Sequence, residues 1–235
     1  MKDWRRVMVP ILVLISFIII ASIRWYIMTE RNKAAKAARA YGPIPVPQEG
    51  PTKIPATGFF YHPGHTWVYV HDDQMVSVGT TDFASHFAGN LAKVKLPKEG
   101  MRMHKGDPAW TLISRKRRRL DQTMPIDGKV VAVNSKLIED PNLAQSSPFE
   151  HGWVLRVRPR HLMSNVQNLF SAESAQKWTS SILSRITAQL SPALGIVAQD
   201  GGEWSSAFGD RMTEEAWESI RDDLFGSKEA ESLTS

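Results

Sequence analysis

Between residues 65 and 158 the chain is written as short alternating runs closed by glycine, proline or aspartate, and this rhythm limits the fold more than any other feature. His65–His71 (HTWVYVH) and Met75–Thr80 (MVSVGT) flank the turn Asp72-Asp73-Gln74. Asn90–Leu96 stops at Pro97, Ala109–Ser114 follows Lys105-Gly106-Asp107-Pro108, Lys129–Asn134 follows Asp127-Gly128, and Trp153–Arg158 closes the series. Side chains alternate between two faces along a strand, and each reversal needs a residue that tolerates a tight turn. Many short strands so spaced predict a small barrel or sandwich. Thr81–Ala88 fits one or two helical turns, with Thr81 or Asp82 as the cap.

The N-terminus carries a different signal. Val7–Ile23 holds seventeen residues without a charge, and continuing through Arg24 to Met28 gives 22. About 20 apolar residues cross a bilayer, and an arginine at the end can reach the headgroups. Trp4 on one side and Trp25 and Tyr26 on the other stand where interfacial aromatic belts lie. Residues 1–28 therefore predict one transmembrane anchor. A cleaved signal peptide would have a shorter apolar stretch and a small-residue cleavage site. Arg24, Arg31, Lys33, Lys36 and Arg39 outnumber Lys2, Arg5 and Arg6, which puts the main domain on the cytoplasmic side of an inner membrane as a single-pass protein. Residues 29–57 read as a connector, helix-forming over Asn32–Ala40 and then a semi-rigid spacer with prolines at 43, 45, 47, 51 and 55.

Several chemistries are excluded. The chain has no cysteine, which rules out a disulfide scaffold, a thiolate metal site and a cysteine nucleophile. His62-x-x-His65 has no carboxylate at metal-site spacing, so both histidines are expected to be structural and no metal site is expected. No phosphate loop, nucleophile elbow or paired-carboxylate motif is present, so the chain is not expected to be a catalyst by itself.

The β-rich part contains an ordered set of motifs: His65-Thr66-Trp67-Val68, Val76-Ser77-Val78-Gly79-Thr80-Thr81-Asp82-Phe83-Ala84, Gly89-Asn90, Lys95-Leu96-Pro97-Lys98-Glu99-Gly100, Lys105-Gly106-Asp107-Pro108, Pro125–Asn134 and Gly152–Pro159. Together they resemble the H protein of the glycine cleavage system, over residues 58–183. The resemblance implies a mainly β fold with flanking helices, the lipoyl-type β-barrel-sandwich hybrid. It also implies a hairpin whose tip lysine carries lipoate on a swinging arm. In that family the motif is Glu-Ser-Val-Lys-Ala, some ten residues after the glycine of Gly-Glu-Pro. Here Gly106 leads, ten positions on, to Lys116 in Ile113-Ser114-Arg115-Lys116-Arg117, while counting back from Pro125 puts Arg117 at the tip.

Arg115, Lys116, Arg117, Arg118 and Arg119 form a cationic run at that tip, without the acidic neighbour of the family motif. Only Lys116 offers an amine. The run favours contact with an acidic protein face or anionic lipid. Nucleic acid is not an expected partner, because no aromatic platform is interleaved with the cations. The leading expectation is thus a non-enzymatic, membrane-anchored scaffold. It would carry no cofactor and serve as an accessory subunit of a larger inner-membrane complex, such as a respiratory or photosynthetic assembly. The alternative is a lipoyl carrier modified on Lys116.

Residues 184–235 extend past the resemblance. Trp178, Ile182, Ile186 and Leu190 recur every four residues, a helical stripe. Thr213 caps a second predicted helix with Glu214 and Glu215 in its first turn. Its apolar face of Ala216, Trp217, Ile220 and Leu224 either packs back on the barrel or docks a partner; Trp217, Ile220 and Leu224 are the candidate contacts. Residues 200–235 hold ten acidic and three basic residues, so this extension is acidic against a basic body.

Overall fold

The computed structural model describes residues 15–26, 28, 58–189 and 207–225. It divides into two units, Met1–Tyr41 and Gly42–Ser235. In the first, residues 15–26 form helix α1, with Phe17, Ile18, Ile20 and Ile23 exposed. Among the described residues no helix is long and apolar enough to cross a membrane. The first eight residues of the expected span, and Trp4, lie outside the described residues; Arg24, Trp25 and Tyr26 fall within α1.

The second unit is mainly β, with short helices at its flanks. Strands β1 (Phe59–His62), β2 (Thr66–Val70), β3 (Val76–Thr80), β9 (Leu155–Pro159), β8 (Gly128–Val133) and β5 (Arg102–Met103) make a six-stranded sheet in that order. Strands β4 (Leu91–Lys95), β6 (Pro108–Ser114) and β7 (Arg119–Thr123) make a three-stranded one. Every pairing between these strands is antiparallel. Val68, Val78, Leu91, Val94, Leu112, Leu120, Val130 and Val157 fill the main core. Because β2 is buried on both faces, Trp67 points the other way, into a second cluster with Phe59, Tyr61, Phe149 and Trp153. The Trp67 indole donates to Thr80 O at 2.9 Å and lies across its pair partner Gly79. A Cβ at 79 would stand 2.4 Å from the ring, so only glycine leaves room.

Strands β1, β5 and β7 were not legible in the alternation. β1 reads Phe-Phe-Tyr-His without a polar face, because Phe59 and Tyr61 are buried against Trp67 and Phe149 at centroid distances of 5.4–6.5 Å and Phe60 packs on the main core. β7 lies inside the stretch that reads as a cationic tip.

Helix α2 (Asp82–Ala88) starts at Thr81, whose hydroxyl accepts from Ala84 N. Single-turn helices α3 (Lys136–Glu139), α4 (Leu143–Ser146) and α5 (Leu162–Val166) fill the connections around β9. Helix α6 (Ala172–Gln189) buries Ala175, Ile182 and Ile186; Leu190, the last residue of the predicted stripe, lies outside the described residues. A 3-10 turn (Phe208–Arg211) precedes α7 (Glu214–Phe225), and Thr213 Oγ1 accepts from Ala216 N. Trp217, Ile220 and Leu224 are buried in the chain's own main core. This corrects their reading as partner contacts: the apolar face of α7 is already satisfied within the chain.

His62 and His65 are buried at the β1–β2 turn. Burial pushes the His65 imidazole down to about 3, with a smaller contribution from His62. Burial, then the nearby Lys105, pushes His62 down to about 4. Both are neutral in the folded chain, whereas the unfolded chain takes up protons below about pH 6.5. Their contribution is therefore complete above that pH and is lost as the pH falls toward 3–4, by up to about 1.4 kcal/mol per pH unit for each group. The urea midpoint should fall between pH 6.5 and 5, above the range of ordinary carboxylates, and His65→Asn should flatten that slope. A midpoint that stays level over this interval would contradict the burial of these neutral rings.

Candidate functional site

The β6–β7 hairpin has Lys116 as the middle residue of its three-residue loop. Arg117 N donates to Ser114 O at 2.9 Å and Ser114 N to Arg118 O at 3.0 Å. These bonds close a turn with Arg115 and Lys116 as its two central residues. Arg117 follows in the left-handed region with φ 65°, the bulged position of a three-residue hairpin loop. A side chain there costs about 1 kcal/mol relative to glycine. Ser114 is buried, and its hydroxyl accepts from Arg118 N at 3.2 Å. Arg115 N donates to Asn90 O at 2.7 Å, tying the tip to the start of β4. The register shifts between Pro108 and Trp110, an irregularity on the β6 side that lies away from the tip. Lys116 stands at the apex, exposed, on a braced turn.

The cationic run is not uniform. Leu112 pairs with Leu120, and both point into the core. Two residues on from Leu112 and two back from Leu120, Ser114 and Arg118 fall on the same inner side. Arg118 is accordingly buried, whereas Arg115, Lys116, Arg117 and Arg119 are exposed. This corrects its place among the outward contacts. Its Nε donates to Glu214 Oε2 at 2.8 Å, Nη1 to Gly209 O at 2.5 Å and Nη2 to Met212 O at 3.0 Å. The guanidinium carbon also sits 5.4 Å from the centre of the Trp217 ring. All these partners belong to the C-terminal segment, residues 207–225.

That segment is fitted to α2 as closely as to the hairpin. Trp217 stacks on Phe87 at 5.3 Å with planes 6° apart and donates its indole N–H to Phe87 O at 2.9 Å. Phe208 and Phe225 pack on Phe83 and Phe87. A Cβ at Gly209 would lie 1.8 Å from Phe87 O, so the two backbones touch where only glycine fits. The Asp210 carboxylate accepts from Asn90 N and Nδ2 at 2.9 and 2.6 Å. Its own backbone carbonyl accepts from Lys116 Nζ.

The outer face of the three-stranded sheet adds cations that the sequence reading missed. Lys93 pairs with Ile113, which pairs with Arg119, and Lys95 lies in the next row. Lys93, Lys95 and Arg119 are exposed beside the tip. Their signal was the alternation of Lys93 and Lys95 about the buried Val94, while a register shift between Leu91 and Lys93 turns Leu91 into the core. Among the described residues no group of three or more His, Asp or Glu side chains could hold a metal ion.

A family model described as glycine cleavage H-protein matches residues 59–182. The probable glycine cleavage system H protein of Thermococcus gammatolerans is 34% identical over 125 residues, covering 53% of this chain and 92% of its own length. The glycine cleavage system H protein of a Thermoanaerobacter species is 34% identical over 121 residues, 52% of this chain and 93% of its own. The crystal structure of a glycine cleavage system H protein from Mycobacterium marinum is 27% identical, covers 54% of this chain and 99% of its own, and gives a TM-score of 0.49. The family match takes in the barrel, the hairpin and most of α6, and leaves residues before 59 and the segment 207–225 outside it. The chain belongs to the glycine cleavage H-protein family.

Proposed function

We propose that this protein is a lipoyl carrier of the H-protein type, with Lys116 as the attachment residue, held at a membrane by its N-terminal segment. The observation that carries the reading is the hairpin: a family member presents a primary amine at the apex of a braced turn, in the register of the family motif. The residues fit the arm, since Lys116 is exposed and the turn is fixed from both strands. Attachment needs the lipoate carboxyl activated by ATP to an acyl adenylate, with pyrophosphate released. The neutral amine then attacks the acyl carbon, an amide bond forms at Nζ as AMP leaves, and the proton lost from the nitrogen passes to solvent. Lipoate there would supply a reversible dithiol–disulfide pair on a flexible arm. The chain itself supplies position and surface, and is not a catalyst by itself.

Family membership favours the carrier over the scaffold, and with it the expectation of no cofactor loses its support. That expectation treated five cations as one obstacle at the tip. One of them, Arg118, is turned inward and neutralised, so the apex is less charged than the sequence suggests. The exposed Lys93, Lys95, Arg115, Arg117 and Arg119 make a basic face that suits an acidic surface on the enzymes using the arm. The expectation of a single-pass anchor over Val7–Met28, with the main domain cytoplasmic at an inner membrane, rests on the uncharged run, on the exposed apolar residues of α1 and on the flanking cations.

Full-length protein in detergent, incubated with lipoate, ATP and a lipoate–protein ligase, should gain one lipoyl group, placed by peptide mass mapping on Lys116. Lys116→Arg should abolish the gain and leave the urea midpoint within about 0.5 kcal/mol of wild type, as for other exposed positions. Label on another lysine, or none on any lysine, would overturn the carrier reading. In host membranes the chain should stay in the pellet through alkaline carbonate extraction; release into the supernatant would overturn the anchor.

A further inference from the structure

The segment 207–225 lies outside the family match yet is locked to the two elements that frame the arm lysine. Its grip is divided. Toward α2 it is apolar and shape-fitted, through Phe208, Gly209, Trp217 and Phe225. Toward the hairpin it is polar, with hydrogen bonds to Arg118 and to Lys116.

We propose that residues 207–225 form a displaceable cover over the arm site, with Arg118 as the residue that positions it and Lys116 as the group it withholds. This rests on the carrier reading of Lys116. Two physical consequences define it. An enzyme acylating Lys116 must enclose the apex of the hairpin, and the cover sits against that apex with the Asp210 carbonyl on the amine. Acylation in turn removes the charge that makes this a charge-assisted hydrogen bond, and such bonds are the stronger class. The cover therefore opposes modification, and by linkage modification loosens the cover to the same degree. Arg118 is not free to leave with the arm. Its guanidinium has ion-pair, carbonyl and ring partners only while the cover is seated, and a buried cation stripped of partners is strongly unfavourable. The open state must therefore either hydrate Arg118 or give it an acidic group from the docking enzyme. Partner docking at the basic face and opening of the cover are thereby coupled through one side chain.

The test compares ligase-catalysed lipoylation of full-length wild type with Trp217→Ala, which removes the stack and the indole bond that seat the cover on α2 and, at the hairpin, the ring beside Arg118. Coupling free energies of this kind span about 5–150-fold, and the variant should be modified at least fivefold faster. Lipoylated wild-type chain should also show faster amide exchange over 208–225 than the unmodified chain, with the barrel strands unchanged. If Trp217→Ala unfolds the barrel, Glu214→Gln, which removes one half-exposed partner of Arg118, should shift both readouts the same way by less. Equal lipoylation rates, with exchange over 208–225 accelerated in the variant, would overturn the cover and leave the carrier intact. Failure of the ligase on every variant would sink the carrier reading instead. The cover would then be judged by acetylation with a small amine reagent. Lys116, exposed like Lys93 and Lys95 but with its ammonium on the Asp210 carbonyl, should label more slowly than those two in wild type, and catch up in Trp217→Ala. Parity in both chains would overturn it.

Discussion

A guanidinium inside a protein is tolerated only where its donors and its charge are met, because an unpaired buried cation costs several kcal/mol. Arg118 is such a group, and the segment 207–225 is arranged around it. The strand register turns it inward, the carbonyls of Gly209 and Met212 accept from it, Glu214 balances its charge and Trp217 offers the face of its ring. Remove the segment 207–225 and the barrel is left with a cation on its inner side. Remove Arg118 and the segment keeps its apolar contacts to α2 but is left on the hairpin with the Lys116 bond to the Asp210 carbonyl. The same side chain thus links a barrel shared with relatives to an extension that lies outside the shared region.

The barrel was legible because its strands obey period two and its turns announce themselves. Six strands fall within a residue or two of the alternating runs, Thr81, one of the two candidates, caps α2, and Thr213 accepts at the start of α7 as expected. What escaped had a physical reason in each case. β1 has no polar face, since both its sides are covered, and β5 is two residues long. β7 was hidden by charge: five cations in a row read as one solvated tip, whereas backbone geometry splits them between two faces. The pairing of Leu112 with Leu120 was the available clue, because it forces the parity of Arg118.

The extension shows a second limit of local reading. An amphipathic helix states that it has an apolar face, not what covers it. Trp217, Ile220 and Leu224 are spent on the chain's own core through contacts more than a hundred residues away in sequence, such as the indole bond to Phe87. The fit is marked only by Gly89 and Gly209, where the opposing segment leaves no space for a side chain.

Membership of the H-protein family, an amine at the apex of a braced turn and a cover seated against it converge on Lys116. The most direct test is the mass of the native chain, purified from membranes of its host and mapped at peptide level. A lipoyl or octanoyl group on Lys116 is the result expected. An unmodified Lys116 throughout the native population, under conditions where other lipoyl proteins of the same cells carry their group, would contradict it.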